Sequence, residues 1–92
     1  MELVKDDDLY KLITKILFAD SREEVKQCCD VAIHELENQK TPDHLIVRFL
    51  EKTVGELSVF SPLTQNSQQW SNIVNAKVFC NRLIKHFSSS HE

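Results

Sequence analysis

The chain has 92 residues and a formal net charge of −3, and its hydrophobic and charged fractions, 41% and 27%, are those of an ordinary globular domain. That length leaves room for one core and excludes a second. A single glycine and two prolines exclude the many tight turns of an all-β domain, so the composition predicts a few long helices joined by short loops.

Two amphipathic helices are predicted in the first half of the chain. The first covers residues 7–18, because the aspartates at 6–8 suit a helix N-terminus and apolar residues then recur with a period near 3.6. The second covers residues 22–38, with Ser21 and Glu24 as a capping box at its start. Its apolar stripe is the most regular in the chain and consists of Val25, Cys28, Cys29, Ala32, Ile33 and Leu36.

Two further helices are predicted in the second half. The third covers residues 42–58, with Thr41 at the N-cap and Pro42 at the first helical position. Gly55 lies inside it and weakens it by about 1 kcal/mol relative to alanine. The fourth covers residues 67–87. The connection between them contains three apolar residues that we expect to fix it on the bundle, namely Val59, Phe60 and Leu63.

The predicted architecture is a small all-α four-helix bundle over residues 1–87, followed by a frayed polar tail at 88–92. The apolar stripes of helices one and two cover about 140° of the helix circumference, that of helix three about 200°, and that of helix four more. Wide stripes need cover on two sides, so we expect helices one and two to be peripheral and helices three and four central. A second copy of the chain is the alternative cover.

A candidate interface follows from the residues at the margins of the two wide stripes. Aliphatic side chains there lie away from the centre of each stripe, which must face the chain's own core. Tryptophan at the start of the fourth helix usually caps the end of a bundle with its ring; the alternative is an interface anchor, because tryptophan is enriched at binding hot spots. The candidate interface residues are Val47, Val54, Trp70, Val74 and Val78.

The sequence contains no strong catalytic, cofactor-binding or metal-binding motif. His34 and Glu35 begin like a zinc-peptidase helix, but Asn38 stands where the second histidine would be. Cys28 and Cys29 are adjacent and lack the two-residue gap that lets two thiolates share a metal. One glycine cannot build a phosphate-binding loop. We therefore expect a non-catalytic protein that uses no cofactor and no metal.

The compartment and partner are predicted from cysteine content and charge. Three cysteines are an odd number, and no apolar run reaches the ~20 residues that span a bilayer, so we expect a cytoplasmic protein without a membrane partner. The function predicted is a protein-interaction or adaptor module, with a second copy of the chain as the simplest partner. The alternative is a nucleic-acid-binding regulator using Lys77, Arg82 and Lys85, although these bases are too sparse for the usual binding footprint.

The fourth helix and its approach are also rich in amide side chains. Asparagine is a mediocre helix former, so this content indicates either a contact that uses the amides or a solvent-exposed face that tolerates them. The residues concerned are Gln65, Asn66, Gln68, Gln69, Asn72, Asn75 and Asn81.

Overall fold

Four α-helices follow one another in the residues that the structure, a computed structural model, describes, which are 6–61 and 63–89. The helices are α1 (Asp6–Leu17), α2 (Arg22–Asn38), α3 (Asp43–Leu57) and α4 (Ser67–Ser89). No β-strand occurs in these residues, and the predicted all-α fold is confirmed.

The C-terminal end of α4 lies further along the chain than predicted. Ser88 and Ser89 belong to α4 and not to a frayed tail, because the buried ring of Phe87 holds the last turn of the helix on the bundle. The other predicted tail residues, 90–92, lie outside the described residues.

The start of α2 has the predicted capping box. Ser21 is the N-cap, and its Oγ accepts a hydrogen bond of 3.1 Å from the backbone N–H of Glu24. The Glu24 carboxylate in turn accepts a bond of 3.1 Å from the N–H of Asp20. Two amide donors that the helix itself cannot satisfy are therefore paired.

The end of α2 is a Schellman motif. The N–H of Lys40 donates to the carbonyl of Glu37 at 2.9 Å, and the N–H of Thr41 donates to the carbonyl of Leu36 at 3.0 Å. Lys40 has φ of 61°, in the left-handed region that glycine adopts most easily. This reversal directs the chain back towards the core, and Thr41 is buried.

The start of α3 differs from the prediction. Its N-cap is Pro42, which has no side-chain oxygen, and the helix proper begins at Asp43. Thr41 is therefore one residue too early to be the cap, and that prediction is wrong. The physical reason is the Schellman motif, which carries Thr41 into the interior, where its hydroxyl has no hydrogen-bond partner in the part of the chain described.

The core lies around α4, which packs against each of the other three helices and most extensively against α3. Fully burying one valine, leucine or isoleucine side chain contributes about 1.5–3 kcal/mol to the stability of the fold. A cation–π contact adds to the packing of α2 on α4, with the guanidinium carbon of Arg22 5.7 Å from the centroid of the Phe79 ring. The largest fully buried apolar side chains are Ile16, Val25, Ile46, Leu50, Leu57 and Ile73.

The connection from α3 to α4 is not fixed in the predicted way. Phe60 is half-buried against the core, but Val59 is 78% and Leu63 95% exposed. The prediction is therefore wrong for two of the three residues. Local hydrogen bonds explain why, because the N–H of Leu63 donates to Ser61 Oγ at 3.1 Å and this turn closes on itself instead of on the bundle.

Candidate functional site

The exposed apolar residues of α4 form a line along one side of the helix. Val74 and Val78 are 43% and 40% exposed, and Trp70 is half-buried against the core. Each follows the last by four residues, so the three side chains lie one above the other. A line of this kind presents apolar area that the chain does not cover itself.

Two valines of α3 complete the set of predicted interface residues. Val47 and Val54 are half-buried and pack against the core, and they are seven residues apart and therefore lie on one face. α3 and α4 are joined by a short connection and pack closely, as antiparallel neighbours do. We call these two residues, with Trp70, Val74 and Val78, the α3–α4 strip.

One part of the α3–α4 strip lies in a segment without charge. No ionisable side chain occurs between Glu56 and Lys77, and Lys77 itself is half-buried. Burying a charge without a partner costs far more than burying an amide or a hydroxyl. Trp70 and Val74 therefore have no charged neighbour along the chain on α4, whereas Glu51 lies between Val47 and Val54 on α3 and Lys77 precedes Val78.

A second surface feature is a groove between α1 and α2, with a volume of about 300 Å³. Its floor is apolar and includes Leu12, Leu36 and the ring of Phe49 from α3, all of them buried. Val31 stands at the edge of the groove and is 45% exposed. We call this feature the α1–α2 groove.

The rims of the α1–α2 groove carry opposite charges. Lys11 and Lys15 line it on the α1 side, with Asp8 at the N-terminal end of that side, and Glu24 and Glu35 line it on the α2 side. All five side chains are exposed. Within the described residues the ion pair found on the surface joins Lys26 to Asp30, at 3.1 Å, and does not involve either rim.

The three cysteines are free thiols in two different environments. Cys29 and Cys80 are buried, and their side chains hydrogen-bond to each other between α2 and α4. Because the Cys29 proton is held in this bond and the thiol is buried, the pKa of Cys29 is raised. The same bond stabilises a thiolate at Cys80 and lowers its pKa, against the opposing effect of burial.

Cys28 lies in the α1–α2 groove and is half-buried. Burial raises the pKa of Cys28 above the ordinary 9.0, and the nearby Cys29 and Glu24 raise it further, while Lys15 lowers it. A reactive cysteine needs the opposite environment, one that favours the thiolate. The position of this thiol therefore suits a packing role.

The described residues contain neither a metal-binding cluster nor a membrane-spanning helix. In residues 6–61 and 63–89, no three side chains of histidine, cysteine, aspartate or glutamate are grouped closely enough to hold a metal ion. No helix in the same residues is both long and apolar enough to cross a membrane.

The basic residues of the alternative nucleic-acid hypothesis lie in the second half of α4. Arg82 and Lys85 are exposed, whereas Lys77 is half-buried. No acidic residue occurs within α4. Three bases spread over about two turns could make only a few phosphate contacts.

Five of the seven amides in and before α4 have hydrogen-bond partners that the sequence did not reveal, among them Gln65, whose Nε2 donates to Thr64 Oγ1 at 3.4 Å. Asn66 Oδ1 accepts from the N–H of Gln69 at 2.8 Å, and the N–H of Asn66 donates to Gln69 Oε1 at 3.4 Å. Asn72 is fully buried, and its Oδ1 accepts from Gln68 Nε2 at 3.0 Å. Asn66 and Gln69 form a capping box in which both side chains are amides, and a search for the S/T-x-x-E/Q pattern does not detect it.

No protein-family model, no curated protein and no solved structure matches this chain.

Proposed function

We propose that this protein is a non-catalytic, cytoplasmic protein-interaction module that binds through the α3–α4 strip, with a second copy of the chain as its partner. The observation that carries the proposal is the exposure of Val74 and Val78, 43% and 40%, one turn apart on α4. The apolar area of such a helix face remains exposed to water unless another surface packs on it.

Charge favours a second copy as the occupant. A twofold interface brings each surface against itself, so any like charges near the axis oppose each other. The segment between Glu56 and Lys77 has no ionisable side chain, and Trp70 and Val74 lie within it. Two copies can therefore meet there without repulsion between identical charges.

The environment of the thiols supports a non-catalytic role and a reducing compartment. The raised pKa of Cys28 keeps that thiol protonated at neutral pH, whereas a catalytic cysteine needs a lowered one. Cys29 and Cys80 are hydrogen-bonded as free thiols, and neighbouring thiols remain free most readily in the cytoplasm.

The test is the molar mass in solution of the wild-type chain and of Val78→Lys. Light scattering behind size exclusion at tens of micromolar protein should give twice 10.7 kDa for the wild type and 10.7 kDa for the variant. Lysine at the strip would place two like charges near the twofold axis and weaken self-association. A wild type that stays at 10.7 kDa throughout this range contradicts the proposed partner.

The matched control is Val31→Lys. Val31 is 45% exposed, close to the 40% of Val78, but lies on α2 in the α1–α2 groove. This variant should keep the mass of the wild type. If both lysine variants dissociate, the interface does not lie at the α3–α4 strip. Circular dichroism checks that both variants remain helical.

A further inference from the structure

The α1–α2 groove has the length of a short helix. Its α2 side runs from Glu24 to Gln39, which corresponds to about 22 Å at 1.5 Å per residue. Its α1 side runs from Asp8 to Lys15, or about 10 Å by the same rise. The two sides face each other over about 10 Å, which is the length of two turns of a bound helix.

The floor of the groove offers apolar contacts at the surface. Cys28 and Ala32 are half-buried and one helical turn apart on α2, and Val31 beside them is 45% exposed. Leu12 on α1 and Phe49 on α3 close the floor from below. Apolar side chains at i, i+3, i+4 and i+7 of a bound helix would cover this floor.

The rims specify the charges of the occupant. Lys11 and Lys15 are one turn apart on α1 and outnumber the one acidic residue of that side, Asp8, whereas Glu24 and Glu35 are three turns apart on α2. One edge of a bound helix would face the lysines of α1, and its other edge would face the glutamates of α2. Complementary edges would attract along both rims, whereas edges of a single sign would be repelled by one rim.

We propose that the α1–α2 groove binds an amphipathic helix of another protein, with acidic side chains along the edge facing α1 and basic side chains along the edge facing α2. The α4 helix of a second copy is a poor occupant of the groove. The exposed apolar strip of α4 is on a helix that has no acidic residue, so it cannot supply the acidic edge. The inference is therefore independent of self-association through the α3–α4 strip.

The direct test uses three designed helical peptides of about 15 residues, the length that matches the groove. All three have the same apolar face. One has glutamates along one edge and lysines along the other, one has glutamates along both edges, and one has lysines along both. Binding is measured by fluorescence anisotropy to the Val78→Lys variant, so that self-association does not affect the result. The mixed-edge peptide should bind about tenfold more tightly than either of the others.

A charge reversal tests the rims themselves. In the double variant Lys11→Glu and Lys15→Glu both rims are acidic, so the peptide with two lysine edges should become the tightest ligand. Both lysines are exposed, and their replacement leaves the core unchanged. An order of affinities that is the same before and after this reversal overturns the proposal. So does the failure of all three peptides to bind at millimolar concentration.

A pair of arginine variants tests the location. Val31→Arg places a long charged side chain at the edge of the groove and should weaken binding of the mixed-edge peptide more than tenfold. Val59→Arg is the matched control, because Val59 is 78% exposed but lies on the connection between α3 and α4, outside the groove and outside the α3–α4 strip. It should leave the affinity unchanged. Loss of binding in Val59→Arg with none in Val31→Arg would move the site elsewhere and contradict the proposal.

Discussion

The side chain of Asn72 on α4 donates a hydrogen bond of 2.8 Å to the carbonyl oxygen of Ala19, two residues beyond the end of α1. The same nitrogen lies 3.4 Å from the carbonyl oxygen of Leu17, the last residue of α1. Carbonyls at a helix C-terminus have no partner within the helix. Asn72 therefore ties the end of α1 to α4 from a fully buried position.

We predict that Asn72→Ala lowers the free energy of unfolding by about 2–3 kcal/mol, because it leaves buried carbonyls unpaired and opens a small cavity. Urea denaturation followed by circular dichroism measures this change. The matched control is Asn81→Ala on the same helix. Asn81 is exposed, so its replacement should change stability by less than about 0.5 kcal/mol. Equal effects of the two substitutions would show that the Asn72 hydrogen bonds contribute nothing.

Asn72 also illustrates what the sequence could and could not predict. The 3.6-residue period identified all four helices, because it reflects the geometry of a single helix and one buried face. Whether an asparagine in that pattern faces solvent or a neighbouring helix depends on how two helices pack. In the sequence, Asn72 precedes Ile73 and Asn81 follows Cys80, so both lie next to a residue of the apolar stripe of α4. The difference between them is that Asn72 meets the Ala19 carbonyl beyond the end of α1, which depends on how α1 packs on α4.

At the helix ends, too, features set by neighbouring residues in the chain were predictable and features set by the three-dimensional fold were not. The capping box of Ser21 and Glu24 was predictable because both partners lie within one turn of the chain. The same local rule predicts Thr41 as the N-cap of α3, but the Schellman turn at Lys40 displaces it. That turn contains no glycine, so the sequence did not signal it. The α1–α2 groove was not predicted either, because it depends on the separation of two helices.

We predict that Lys40→Gly raises the free energy of unfolding by about 1 kcal/mol. Lys40 has φ of 61°, a conformation that costs a residue with a Cβ about 1–2 kcal/mol and glycine almost nothing. The larger conformational freedom of glycine in the unfolded chain removes part of this gain. Thermal and urea denaturation measure the net effect.

The neighbouring residue supplies the control for Lys40→Gly. Gln39 has φ of −82°, which any residue adopts, so Gln39→Gly should bring no gain and should destabilise slightly through the unfolded chain. If both glycine variants are less stable than the wild type, the left-handed conformation of Lys40 is not the source of strain.

We predict that Thr41→Val stabilises the protein by about 1 kcal/mol. The side chain is 6% exposed, and its hydroxyl has no hydrogen-bond partner in the described residues. Removing an unpaired buried polar group relieves its desolvation cost. An N-cap threonine would behave in the opposite way, since its loss costs about 1 kcal/mol. Destabilisation of that size would restore the capping role.

Thr53→Val is the matched control for Thr41→Val. Thr53 is also buried, but its hydroxyl donates to the carbonyl of Phe49 at 2.9 Å. Valine removes this bond, so we expect a loss of about 0.5–1.5 kcal/mol. The two substitutions exchange the same atoms and should change the free energy of unfolding in opposite directions.

The three thiols should differ in reactivity in the folded protein. A small alkylating reagent should modify Cys28 first, because Cys29 and Cys80 are buried and hydrogen-bonded to each other. Intact mass spectrometry and peptide mapping identify the modified residue. Modification of Cys29 or Cys80 before Cys28 in the folded chain would contradict the arrangement of the α2–α4 contact. After unfolding, all three thiols should react.

The pH dependence of Cys28 alkylation follows from the direction of its pKa shift. The thiolate is the reacting species, and the pKa of Cys28 is raised above 9.0 chiefly by burial. Its rate of modification should therefore rise about tenfold per pH unit from 7 to 9 without levelling off.

Glu24→Gln, which keeps the capping box, should speed the reaction at pH 8, because Glu24 raises this pKa. Lys15→Gln should slow it, because Lys15 lowers the pKa. Screening limits both effects to about twofold and should abolish them at 1 M salt. A rate that reaches its plateau below pH 8.5 would mean that Cys28 has a lowered pKa and an environment built for reaction.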